Sequence, residues 1–288
     1  MLTPGSAVGQ GDAPVTKLWV DEKGKPTKGP SRYIAGVPAW HNADSLGYNP
    51  EDTGRSIDSW AEMYSEDFKG RIALINVPQI GVMDAAMGVE ALGLKTFGDK
   101  GNMTKEEIDN TMAIFTEAKK DGQFRAFWKT FDESVNLMSS GEVVIQSMWS
   151  PAVTKIKSMG LPCVYQPLKE GYRSWGGGLG LSRNLSGLEL EAAYEYINWY
   201  LSGWVGGFLM RQGYYSAVPE TSKEFMSENE WGYWFEGKAA TGDITSPTGD
   251  KLAGAGDVRD GESFYDRMGA VMDENQYMVR KWNEFIAA

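Results

Sequence analysis

From Gly70 onward, strand-sized apolar runs alternate with helices that carry their own start signals. That alternation restricts the chain to an α/β architecture with a largely parallel sheet. Gly70 opens a strand at 71–75, and a helix over about 82–92 follows. Thr104-Lys105-Glu106-Glu107 has the spacing in which a hydroxyl and a carboxylate satisfy each other's backbone amides. A helix therefore starts there, with Ile108, Met112 and Phe115 on one face. Next come a strand at 124–128, a helix at 131–139 with Thr130 and Glu133 as its capping box, a strand at 142–149, a helix near 152–159 and a strand at 162–166. Upstream, Ser56 is placed to cap a helix bearing Ile57, Trp60 and Tyr64. Downstream, the run Trp175-Gly176-Gly177-Gly178 precedes a short strand at 179–182, and Ser186-Gly187-Leu188-Glu189 predicts a capped helix through Leu201. From about Glu220 the pattern is helical around a Gly/Asp/Thr-rich loop at 237–261. In residues 1–32 only 17–20 is strand-like.

Charge and rare residues narrow the chemistry. With 28 basic against 39 acidic residues the net charge is −11, which repels a phosphate backbone, so nucleic acid is not an expected partner. The longest apolar runs are far shorter than the roughly 18 residues that span a bilayer. A single histidine, His41, rules out a multi-histidine metal site, and no metal or cofactor is expected. The one cysteine, Cys163, lies in an apolar run without a base beside it and reads as an inert buried thiol. Gly178-Leu179-Gly180-Leu181-Ser182 is not a nucleophile elbow, and the glycine run lacks the dinucleotide spacing. An aromatic content of 12% keeps open a carbohydrate-active enzyme or carbohydrate-binding module with an aromatic cleft. Nothing places two carboxylates together for that chemistry, and no enzyme activity is expected. The opening Met1-Leu2-Thr3-Pro4-Gly5 lacks the basic and apolar parts of a secretory signal.

Several short stretches occur in a telling order. Ser59-Trp60-Ala61-Glu62-Met63-Tyr64 is followed by Phe68-Lys69-Gly70-Arg71-Ile72-Ala73-Leu74-Ile75. Then come Ser140-Gly141-Glu142-Val143-Val144 with Met148-Trp149-Ser150, Lys169-Glu170-Gly171 with Trp175, and Glu195-Tyr196-Ile197-Asn198-Trp199 with Gln212-Gly213-Tyr214-Tyr215-Ser216-Ala217-Val218-Pro219. Over residues 34–220 this order resembles the spermidine/putrescine-binding type of periplasmic solute-binding protein, the capture subunit of ABC importers, and Ile34 to Trp40 resembles its first crossover segment.

The resemblance implies a type II periplasmic-binding-protein fold, two α/β lobes with hinge crossovers, in which lobe one is incomplete because family members carry roughly a hundred residues before this crossover. The expected division is 1–48 for the rest of lobe one and the first crossover, 49–174 for lobe two, 175–219 for the return to lobe one, and 220–288 for C-terminal helices packing mainly on lobe two. It further implies a periplasmic location, a monomer, and permease and ATPase subunits as membrane partners. The expected ligand residues are Trp149, Trp175, Tyr214 and Tyr215, with Trp40, Asp44 and Ser45 near the crossover, and Arg173 or Arg211 as further polar groups. One family acid falls two residues after Trp175, where this chain has Gly177; another falls within 76–84, where Asn76 to Gly81 contain none and Asp84 is off register. A cationic amine leaving water needs a carboxylate. Polyamine specificity is therefore not carried over. The solute is expected to be a small organic molecule, from the polyamine-like, quaternary ammonium or amino-acid/opine-like classes, held by rings.

Overall fold

The structure is a computed structural model that describes residues 18–25, 27, 30–165, 168–259 and 273–288. Parts of four expected segments lie outside these: most of 1–32, the end of the 162–166 strand, the end of the 237–261 loop, and 260–272 of the C-terminal portion. The strands are β1 (Trp19–Val20), β2 (Tyr33–Ile34), β3 (Val37–Tyr48), β4 (Ile72–Ile75), β5 (Phe124–Trp128), β6 (Ile145–Met148), β7 (Val164–Tyr165), β8 (Arg173–Leu179), β9 (Tyr215–Ser216), β10 (Ile244–Thr245) and β11 (Lys251–Ala253). The helices are α1 (Pro50–Thr53), α2 (Pro78–Ala91), α3 (Lys105–Lys120), α4 (Phe131–Ser139), α5 (Ser150–Ser158), α6 (Gly187–Leu201), α7 (Trp204–Met210), α8 (Pro219–Lys223), α9 (Glu228–Phe235) and α10 (Asn275–Ala287). Among the described residues no helix is long and apolar enough to cross a membrane.

Two compact units share the chain. The first holds the described residues up to Asn42 and Trp175–Val258; the second holds Ala43–Ser174 and the described residues of Arg259–Ala288. The chain thus changes unit inside β3 and again inside β8, not after residue 48. Of the residues expected to pack on lobe two, 220–258 belong to the first unit and α10 to the second. The physical reason is a small separate core: Met210, Tyr233, Trp234, Ala240, Ile244 and Ala253 bury one another.

The second unit is built on the strand order β5-β4-β6-β3-β7. β4 runs parallel to both β5 and β6. β3 is antiparallel to β6 and β7, because it enters from the other unit and not through a helical crossover. Two expected capping boxes form as read: Thr104 with Glu107 opens α3 and Thr130 with Glu133 opens α4. Ser186, by contrast, makes no side-chain cap bond, since Gly187 at φ 53° begins α6 in a left-handed conformation. Ser59, not Ser56, caps the short 3₁₀ turn Trp60–Tyr64.

The Lys169-Glu170-Gly171 motif clasps that turn. Glu170 accepts from the Ser59 hydroxyl and the Trp60 amide, the Gly171 carbonyl accepts from Trp60 Nε1 at 2.9 Å, and Lys169 pairs with Asp58. The two motifs are therefore joined in the fold.

In the first unit, the expected strand at 179–182 is displaced: the glycine run itself is strand, pairing with β3. A Cβ at Gly178 would lie 2.9 Å from the Val37 carbonyl oxygen, so glycine is what allows the two backbones to approach. α6 buries only Ile197, and a ladder of rings runs Tyr200, Tyr196, Trp199, Trp204, Phe208 at centroid steps of 5.6–6.3 Å.

Candidate functional site

The ribbon β8–β3–β9 of the first unit sorts the expected ligand residues by face. Trp175 and Gly177 are two apart on β8 and share a side. A Cβ at Gly177 would fall 2.2 Å from the Trp40 ring, so Trp40 lies across that same side. Ser216 is the direct cross-strand partner of Trp40, and Tyr214, two residues earlier, meets Trp175 edge-on at 6.0 Å. Trp40, Trp175 and Tyr214 therefore form one ring-lined face, continued by Tyr200 at 6.1 Å from Trp40. All three are half-buried. The indole Nε1 of Trp175 is itself buried and has no hydrogen-bond acceptor among the described residues.

Tyr215 belongs to the opposite face. It is buried, pairs across strands with His41, stacks on that imidazole at 5.4 Å, and meets Phe235 edge-on. The structure thus separates Tyr215 from Tyr214, as the two-residue period of a strand requires. Burial lowers the His41 pKa to about 4. A folded-state pKa below the unfolded value of about 6.5 gives stability that is complete above pH 6.5 and is lost as pH falls from there through 4. Between pH 7.5 and 4.5 the parent protein should lose about 2–3 kcal/mol more than a His41→Phe variant, read by urea unfolding at both pH values. Equal losses would mean the imidazole charges freely in the folded chain.

In the second unit Trp149 stands at the end of β6 as the N-cap residue of α5, half-buried and edge-on to Trp128 at 5.0 Å. Asp44 and Ser45 are buried in this unit. Arg173 Nη2 lies 3.0 Å from Asp44 Oδ2, and Arg173 Nε donates to Asp84 Oδ1 at 2.7 Å. Asp44, Asp84 and Arg173 form a buried ion cluster. Burial drives the Asp84 carboxyl upward, against the pull of Arg173 and Ser147. Burial also opposes the Arg173 charge, but the two carboxylates outweigh it and raise its pKa. Desolvation therefore outweighs the ion pair at Asp84, while at Arg173 the two carboxylates outweigh desolvation. Nor is Arg211 available: it makes a two-pronged pair with Glu230, at 2.5 and 3.1 Å. In the segment where the family places its other acid, Asn76 accepts from Trp282 Nε1 at 3.0 Å. Among the described residues no group of three or more His, Cys, Asp or Glu could hold a metal ion.

Sequence reasoning missed the Asp44–Arg173–Asp84 cluster. Its trace was Asp84 itself, an acid in the otherwise apolar run 82–87.

The model of the bacterial extracellular solute-binding proteins matches residues 15–204. The chain belongs to that family. The Escherichia coli (strain K12) spermidine/putrescine-binding periplasmic protein is 27% identical over 187 residues, 64% of this chain and 47% of that protein, so the match spans about half of the relative's length. Among solved structures, the Tp0655 (TpPotD) lipoprotein of Treponema pallidum aligns with a TM-score of 0.59 at 10% identity, covering 89% of this chain and 69% of that one. The spermidine/putrescine ABC transporter substrate-binding protein PotD of Streptococcus pneumoniae gives 0.56 at 12%, covering 88% and 68%. These solute-binding-family neighbours share the fold, that of the type II periplasmic binding proteins.

Proposed function

We propose that this chain is the solute-capturing component of an ABC importer, working in the periplasm as a monomer, holding a small organic solute unchanged and passing it to a membrane permease driven by an ATPase. The observation that carries the reading is the ring-lined face of Trp175, Tyr214 and Trp40 in a member of a solute-binding family. Half-buried rings with a few aimed polar groups suit capture of small molecules. Trp149, at a strand end of the second unit, is not part of that face and is kept as a separate candidate. Asp44, Ser45 and Tyr215 are assigned to the interior and not to the ligand.

A thermal-shift panel of amines, betaines, amino acids and sugars identifies the solute, since a ligand that binds only the folded chain raises its melting temperature. Trp175→Ala should then weaken binding at least about tenfold, the scale of one lost aromatic contact with its hydrogen bond, and Trp149→Ala should weaken it less. Binding that is unchanged in both variants would refute the assignment, and turnover of the bound solute would refute the transport reading.

A further inference from the structure

We infer that Trp175 is a specificity-determining hydrogen-bond donor and that the solute is a zwitterionic amino-carboxylate, its carboxylate received by the indole Nε1 and its ammonium by the neighbouring ring faces. The inference rests on the capture function proposed above and names its substrate class.

Four observations converge. The Trp175 Nε1 is buried, points at no acceptor among the described residues, and belongs to a ring fixed edge-on by Tyr214. A buried donor without a partner is costly unless something supplies an acceptor, and a charged acceptor makes the stronger bond. At the positions where the resemblance implies acids, none is left for a dication among the described residues. Position 177 is glycine with the Trp40 ring pressed over it, so an acid there would have to displace that indole. Asp44 and Asp84 are held by Arg173. Conversely, the half-buried Trp40 and Tyr214 rings share the Trp175 side, and aromatic rings attract an ammonium without a carboxylate. One donor for an anion plus rings for a cation is the complement of an amino-carboxylate, not of a diamine.

The test is a matched series differing at one end only: 5-aminopentanoate, 5-aminopentanamide and 1,5-diaminopentane, titrated against the full chain by intrinsic tryptophan fluorescence and calorimetry. The carboxylate should bind at least about tenfold more tightly than the diamine and more tightly than the amide. Trp175→Phe, which keeps an aromatic ring and deletes the N–H, should weaken the carboxylate roughly ten- to a hundredfold and the diamine far less. The variant's melting temperature checks that it folds, and the series on the parent protein decides the question if it does not. A diamine or amide that binds as tightly as the carboxylate overturns this inference and leaves solute capture standing. So does a Trp175→Phe variant with undiminished carboxylate affinity. Silence of the whole series, together with silence of the wider thermal-shift panel, overturns both.

Discussion

Replacing Arg173 with Met should destabilise the chain by about 3–5 kcal/mol at pH 7.5, the cost of removing one partner from a buried ion pair. The guanidinium is a positive group that Asp84 and Asp44 share, and all three side chains are at most 4% exposed. Methionine fills similar volume, so the loss is chiefly electrostatic. Without the arginine, proton uptake is the cheapest compensation for the carboxylates. Their folded-state pKa values then lie above the unfolded value of about 3.9, so the penalty is greatest at neutral pH and shrinks as pH falls toward 4. Urea unfolding at pH 7.5 and 5 reads this directly: the gap between parent and variant should narrow at the lower pH. Adding Asp84→Asn to Arg173→Met should restore part of the loss. A single-variant cost below about 1 kcal/mol at pH 7.5 would show that the cluster is not the fastening described. Its position gives it weight, because Asp44 stands two residues inside the second unit on β3 and Arg173 two residues before the chain leaves it on β8.

The parts of this fold that were legible in the sequence are those whose signals are local. The capping boxes at Thr104 and Thr130 are short-range chemistry, and β5 and α4 fall where their residues predict. Errors arose where a distant partner decides. Val143 and Val144 read as the start of β6, yet the Val144 amide donates to the Arg71 carbonyl and its carbonyl accepts from Asn49, outside the strand. The strand expected at 179–182 begins earlier, at Arg173: glycine carries no side chain to signal a strand, and the close approach of Val37 and the Trp40 ring to Gly178 and Gly177 is a distant contact. For the candidate site, Trp175, Trp40 and Tyr214 were reached through the family resemblance, and the structure brings them together. Tyr215 is expected beside Tyr214, whereas alternation sends it to the other face. Asp44 reads as a loop acid beside an aromatic, and its guanidinium partner is 129 residues away by number, Arg173 against Asp44, beyond any local pattern.

Trp282→Ala should cost about 3–5 kcal/mol, and its coupling to Gly81 tests why a glycine sits inside α2. Trp282, on α10, is fully buried against Phe115 and Phe285, and its Nε1 donates to Asn76. A Cβ at Gly81 would fall 2.0 Å from the far edge of that indole. Gly81→Ala therefore sets a helix-propensity gain of about 1 kcal/mol against an overpacking cost of about 1–3 kcal/mol or more. With the ring held by its neighbours and its hydrogen bond, overpacking should win and the single variant should be less stable than the parent. In the Trp282→Ala background the ring is gone and the methyl enters the space it leaves. There the same Gly81→Ala change should stabilise, reversing sign, with a coupling of about 2 kcal/mol or more across the double-mutant cycle. Additivity within about 0.5 kcal/mol, measured by urea unfolding of all four proteins, would mean that the indole does not rest on Gly81 and that the glycine is there for another reason.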